Sequence, residues 1–262
     1  MLGAFKRWIG ARRDGPDGRA LVGWARDKEF VAKRVRDGDG LVVEGHSHQQ
    51  PWRMEWGNPQ RGYILERELR IRMELGLPAS LQMLLTSREL AEQLEADAFA
   101  IFTQDMQTRI DSSMPEEMRW LTMFPKAQIA PMKSLRTRFV AVASAAAPLN
   151  HWLEGEFAQQ LEAASRTWLS PDTPLVLMTL RGRLYLRLEA LQPTPAMLDG
   201  VLGIFEAAVH GAITAAESLG APSGWHTTGS TAWQSHLPSE LPPDLQSGDD
   251  PTGDAPRGAE RG

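Results

Sequence analysis

From Tyr63 to Leu75 the chain alternates: Leu69, Ile71, Met73 and Leu75 fall on one side of an extended backbone, and Glu68, Arg70, Arg72 and Glu74 fall on the other. A period of two over this length predicts a strand with one buried and one solvated face, as in an antiparallel sheet. Pro51 to Gly57 repeats the pattern, with Trp52, Met54 and Trp56 opposite Arg53 and Glu55. Phe30 to Arg36 and Leu41 to Gly45 read as two more strands flanking Asp37-Gly38-Asp39-Gly40, a strong hairpin signal. Leu81 to Thr86 and Met118 to Phe124 read as strands. Leu175 to Leu180 and Arg183 to Ala190 form a further hairpin around Arg181-Gly182.

The period changes to that of a helix in three places. Leu90, Leu94, Ala98 and Ile101 form an apolar stripe after Thr86 and Glu89, which have the spacing of a capping box. Residues 134–168 read as helical with a break at Pro148, after which Asn150 is placed to cap the second piece. Met197, Val201, Ile204, Phe205, Ala208 and Ala212 line a last helix. Thr194 is placed to cap it, Pro195 occupies its first turn and Gly220 is suited to end it.

These elements predict an α+β fold: antiparallel sheet with helices packed on one face. The segments 30–105 and 110–220 share a loose plan of strands followed by a helix, which is compatible with two related α+β units. Residues 1–29 read as a basic N-terminal segment and residues 30–220 as the body. Residues 221–262 are rich in Pro, Gly, Ser, Thr and Asp and read as a disordered acidic tail, in which Trp225 and Trp233 are placed to dock. Within residues 1–13, Leu2, Phe5, Trp8 and Ile9 oppose Lys6, Arg7, Arg12 and Arg13. This is a short basic amphipathic helix suited either to weak membrane contact or to packing on the body.

Composition narrows the chemistry. The 262 residues include no cysteine, which excludes disulfides, thiolate metal sites and cysteine nucleophiles. The net charge of −5 is uneven: residues 1–36 carry ten Lys/Arg against four Asp/Glu, residues 221–262 carry two against six, and the remaining 37–220 are acidic. An acidic body argues against nucleic acid as a partner. No run of about 18 apolar residues is visible, and the start lacks a signal-peptide pattern, so a cytoplasmic protein is expected.

No named catalytic motif is present, and no cofactor is expected. Glu44, His46 and His48 alternate in a way that an extended backbone would place on one side. That reads either as part of a metal site or as a polar strand end. His151 and His210 are isolated residues on helical segments. Trp52 and Trp56 fit a stacking platform for bases or, with Met54, a buried core face, and the core reading is favoured. Arg61, Glu68, Arg70, Arg72 and Glu74 form a candidate partner surface, whose alternative is a solvated sheet face with cross-strand ion pairs.

The stretch Trp52 to Leu77, WRMEWGNPQRGYILERELRIRMELGL, resembles a motif of uncharacterised proteobacterial proteins, over most of residues 20–220. That resemblance implies no activity and no transferable site residues. The hairpin LVLMTLRGRLYLRLEAL with the long helix after it resembles the closing pattern of small type III secretion chaperones. Those are α+β proteins that bind other proteins, and this chain is nearly twice as long. The resulting expectation is a non-catalytic bacterial protein-binding or adaptor module. An unrecognised enzyme, such as a metal-dependent hydrolase using Glu44, His46 and His48, is the alternative, and a peripheral membrane protein using residues 1–13 is a third reading.

Overall fold

The alternating segments assemble into one sheet. In a computed structural model describing residues 18–35, 40–104, 114–127 and 133–219, the strands are β1 (Val31–Arg34), β2 (Leu41–Ser47), β3 (Gln50–Gly57), β4 (Glu68–Glu74), β5 (Met83–Ser87), β6 (Phe139–Ala143), β7 (Leu175–Leu180) and β8 (Arg183–Glu189). They pair antiparallel throughout, in the order β1-β2-β3-β4-β8-β7-β5-β6. The chain divides into two units, residues 1–225 and 226–262. The second lies outside the described residues, as do the 1–13 helix, Asp37–Asp39 of the first turn, Gly220, and the tail with Trp225 and Trp233.

The α+β class and antiparallel sheet expected from the sequence are present. The two proposed halves interleave within it: β5, from the first, sits between β6 and β7 of the second.

Seven helices are seen among the described residues: α1 (Arg19–Asp27), α2 (Arg88–Gln104), α3 (Glu116–Met123), α4 (Lys133–Arg138), α5 (Ala146–Trp152), α6 (Gly155–Thr167) and α7 (Pro195–Ser218). Five of them, α1 and α4 to α7, supply buried residues to one core, against Trp52, Met54, Trp56, Leu69, Ile71, Met73 and the matching face of β5 to β8. Helices α2 and α3 form a second core on the opposite face with Leu84, Val140, Val142, Val176 and Met178. Helices therefore lie on both faces of the sheet, where packing on one face was expected. The reason is in the strands: β5, β6 and most of β7 are buried at every position and need cover on both sides.

Several boundaries differ from the sequence reading. Met118 to Phe124 falls in helix α3, not a strand. Its short apolar run carries no decisive period, and Met118 and Leu121, three apart, face the second core. Residues 134–168 are not continuously helical, because Phe139–Ala143, with β-branched Val140 and Val142 and aromatic Phe139, forms edge strand β6. Pro148 lies in the first turn of α5, where a missing N–H costs no helix bond. Glu154, not Asn150, stands at the N-cap of α6. Thr86 belongs to β5 and donates its hydroxyl to Leu175 O at 2.8 Å, so it forms no capping box with Glu89. Residues 19–27, read as part of a basic segment outside the body, form α1 and bury Leu21, Trp24 and Ala25.

Other local readings hold. Thr194 caps α7 by accepting from Met197 N at 3.2 Å, with Pro195 in the first turn. Arg181 and Gly182 both have positive φ (52° and 79°), as the two-residue turn between β7 and β8 requires. Helix α7 is apolar enough over its 24 residues to match a membrane span in length and composition, although no such run was read in the sequence. Eleven of its residues, from Leu198 to Ala216, are buried, so its apolar character is accounted for by the core.

The β4 register gives a direct check. Ile71 pairs with Met54 and Leu186 and is 1% exposed. Ile71→Val is expected to cost about 1 kcal/mol, and Arg72→Met to stay within about 0.5 kcal/mol, by urea denaturation. The reverse ranking would place the strand one residue out of register.

Candidate functional site

Among the described residues, α2 and α3 cover the second face of the sheet at its β5–β7 end. Along β1 to β4 and β8 it carries the polar positions of the alternating strands. Pairing aligns them in rows: Glu44, Arg53, Arg72 and Tyr185 in one, and Glu55, Arg70 and Arg187 in the next.

These groups form a continuous chain of ion pairs. Lys33 Nζ meets Glu44 Oε2 at 2.8 Å, and Glu44 Oε1 accepts from Arg53 Nη1 at 2.9 Å. Arg53 Nε donates to Glu55 Oε1 at 2.6 Å, and Arg70 Nη2 to Glu55 Oε2 at 2.8 Å. Arg70 Nη1 reaches Glu68 Oε2 at 3.2 Å, and Arg187 Nη1 bonds Glu68 Oε1. Every oxygen of the three carboxylates is thus bonded to a cation. Burial pushes the Glu55 carboxyl up, but the bonds and charges of Arg53 and Arg70 outweigh it and hold it below the usual carboxylate range. Lys33, through hydrogen bond and charge, and then Arg53 hold Glu44 low.

The expectation that Glu68 is solvated is overturned. Its side chain is 0% exposed, because the loop ahead of β4 folds over it and Gln60 N–H donates to Oε2 at 2.6 Å. Arg70 is mostly covered, whereas Arg72 and Glu74 are exposed, and Glu74 pairs with Arg183. Arg72 has no ion-pair or hydrogen-bond partner among the described residues. A depression of about 100 Å³ is lined by Arg53, Glu55, Arg70, Arg72, Tyr185 and Arg187, among others. A wider one of about 440 Å³ continues toward His46, Glu74 and Arg183.

Arg61, the remaining sequence candidate, lies off this ladder. Its Nε donates to Glu117 Oε1 at 2.6 Å, and the same oxygen accepts from the Tyr63 hydroxyl at 2.6 Å. Glu117 is fully buried at the start of α3, so this triad ties the loop ahead of β4 to the helix. Burial pushes the Tyr63 hydroxyl far up, and the neighbouring Glu117 charge adds to it.

Of the other candidates, Glu44 and His46 line the wider depression together. Glu44 is committed to Lys33 and Arg53, while His48 sits in the β2–β3 turn with φ 50° and its ring stacks on that of His210, 6.2 Å between centroids. Among the described residues no group of three His, Asp or Glu is placed to hold a metal ion. Trp52 and Trp56 are each 1% exposed and form no stacking platform. Trp52 lies over Gly45, where an added Cβ would come within 2.3 Å of the ring, and Trp56 Nε1 donates to Ala190 O at 2.7 Å.

Arg53, Glu55, Tyr185, Arg187, Tyr63 and Glu117 were not among the sequence candidates. Arg183, Tyr185, Arg187 and Glu189 alternate in β8 as the β4 charges do, so the signal was present there. For Glu117 none was: it lies just ahead of Met118–Phe124, which reads as a strand, and no helix start is legible there.

No protein-family model matches this chain, and no curated protein matches it. Among solved structures it is similar to the mycobacterial trehalose monomycolate transport factor A, TtfA, at 10% identity and a TM-score of 0.43, over 74% of this chain and 93% of that one.

Proposed function

We propose that this chain is a non-catalytic, cytoplasmic binding module that engages another protein through the open half of its charged sheet face, and that the partner presents an anionic surface. One observation carries the reading. The face is interlocked by ion pairs, yet its cations Lys33, Arg53, Arg70, Arg72, Arg183 and Arg187 outnumber the carboxylates Glu44, Glu55, Glu68, Glu74 and Glu189 by one. This local excess of positive charge stands on an otherwise acidic body, and complementary charge steers and orients association. For the hydrolase reading, no group of three His, Asp or Glu among the described residues is placed to hold a metal ion, and the membrane reading rests on residues outside the described ones.

A photoreactive residue at His46, exposed on this face, is expected to trap a discrete protein in lysate of the source cells, and one at Gln159, exposed on α6, is expected to trap none. The trapped protein, once purified, should bind the intact chain more weakly as salt rises and more weakly still to Arg72→Glu. Equal trapping from both positions, none from His46, or binding indifferent to Arg72→Glu would remove the proposal.

A further inference from the structure

The register sets two arginine pairs directly opposite each other, Arg53 against Arg72 and Arg70 against Arg187. Like charges in facing positions destabilise a sheet. For Arg70 and Arg187 the conflict is resolved within the chain, since both bond Glu68. Arg53 is held by Glu44 and Glu55. Arg72 faces Arg53 with no carboxylate of its own among the described residues.

The carboxylates around it are already engaged. All six oxygens of Glu44, Glu55 and Glu68 are already bonded, and over the whole face Lys33, Arg53, Arg70, Arg72, Arg183 and Arg187 exceed Glu44, Glu55, Glu68, Glu74 and Glu189 by one positive charge. Glu74 is taken by Arg183, and Glu189 accepts from Leu65 N and Glu66 N. The four arginines meet around the smaller depression, with Tyr185 on its wall and the buried Ile71 and Leu186 also lining it. Its volume of about 100 Å³ is a few times the roughly 30 Å³ share of a water molecule. It lies well below the roughly 300–1,000 Å³ of sites for larger ligands. Guanidinium groups offer planar donor forks that fit oxyanions, and here strands packed on a core hold them in place.

From the size, the donor set and the four arginines set against one lining carboxylate, Glu55, we infer that this depression binds a single tetrahedral oxyanion of the phosphate class, held by Arg72 and Arg53 with Tyr185 alongside. A phosphate monoester carries close to two charges at neutral pH, against one for a carboxylate, and offers three acceptor oxygens to the arginine forks. The group is either a free phosphate compound or a phosphoryl group on the protein partner. The second source rests on the proposed function above, and the first does not.

Inorganic phosphate added to the purified full chain, against sodium chloride at matched ionic strength, should raise the melting temperature saturably. Arg72→Met should melt where the parent does without phosphate and bind phosphate at least about tenfold more weakly, the scale of one charge-assisted contact. Arg166→Met, on α6, should bind as the parent does. A rise that chloride reproduces, or that Arg72→Met retains, overturns the inference. Phosphatase treatment of the lysate before trapping from His46 then separates the sources: loss of the adduct assigns the phosphoryl group to the partner, and its persistence assigns the site to a free phosphate compound. Saturable phosphate binding without any adduct would remove the protein-partner reading alone, and an adduct without saturable binding would remove the oxyanion site alone.

Discussion

Trp152→Ala is expected to cost about 3–5 kcal/mol, the range for deleting a large buried aromatic side chain. Trp152 is 0% exposed at the end of α5, and its indole packs against Phe157 of α6 with ring centroids 5.1 Å apart. Its Nε1 donates to Ala208 O of α7 at 2.9 Å, and Gly211 lets the two helices approach: a Cβ there would stand 3.1 Å from the indole. Truncation would leave a cavity among three helices and remove a hydrogen bond to α7. Domains of this kind have total stabilities of roughly 5–15 kcal/mol, so the variant should be marginal at room temperature. Urea unfolding with an unchanged slope would measure the loss. A cost below about 1 kcal/mol would mean that the helices close over the gap, contrary to the close packing of cores.

How far the sequence discloses this molecule depends on where each signal is stored. Strands β2, β3, β4, β7 and β8 carry either strict alternation or a tight turn, which are local properties of the chain. Helix α7 carries its own cap and first-turn proline. Strand β6 and helix α3 carry neither. Phe139–Ala143 is a five-residue apolar run beside helical segments, and whether it pairs with β5 is decided by a partner more than fifty residues away. The packing of helices on both faces follows from β5, β6 and β7 being apolar on both sides, which is visible once all three are known to be strands.

The site divides the same way. Arg70 and Arg72 were legible from β4 alone. That Arg72 meets Arg53 and Tyr185, and that Glu68 is shut away between Arg70 and Arg187, depends on the β3–β4–β8 register, and the Glu68–Arg187 bond spans 119 positions. A strand's own sequence states which residues share a face but not which charges stand opposite one another, and that opposition sets Arg72 against Arg53 with no carboxylate of its own among the described residues.

Glu117 carries the second large expected effect, which depends on pH. Glu117→Ala would leave the partly buried Arg61 and the buried Tyr63 hydroxyl without their acceptor. Removing one partner of a buried pair costs about 3–5 kcal/mol, and the partial exposure of Arg61 brings the expectation to about 3 kcal/mol. Glu117→Gln keeps the shape and isolates the charge. Burial pushes the Glu117 carboxyl up, but the Arg61 hydrogen bond and charge and the Tyr63 hydroxyl outweigh it, so its folded value lies below the usual one. The stability it contributes is therefore fully present above the unfolded carboxylate value, about 4.3. It is lost as pH falls through the folded value, because the unfolded chain takes up the proton first. Urea unfolding at steps from neutral pH down to about pH 3, across that unfolded value, should show the parent losing its advantage over Glu117→Gln as the acid limit is approached. A constant difference between the two across that range would mean that Glu117 folds with an ordinary carboxyl and that Arg61 does not hold its charge.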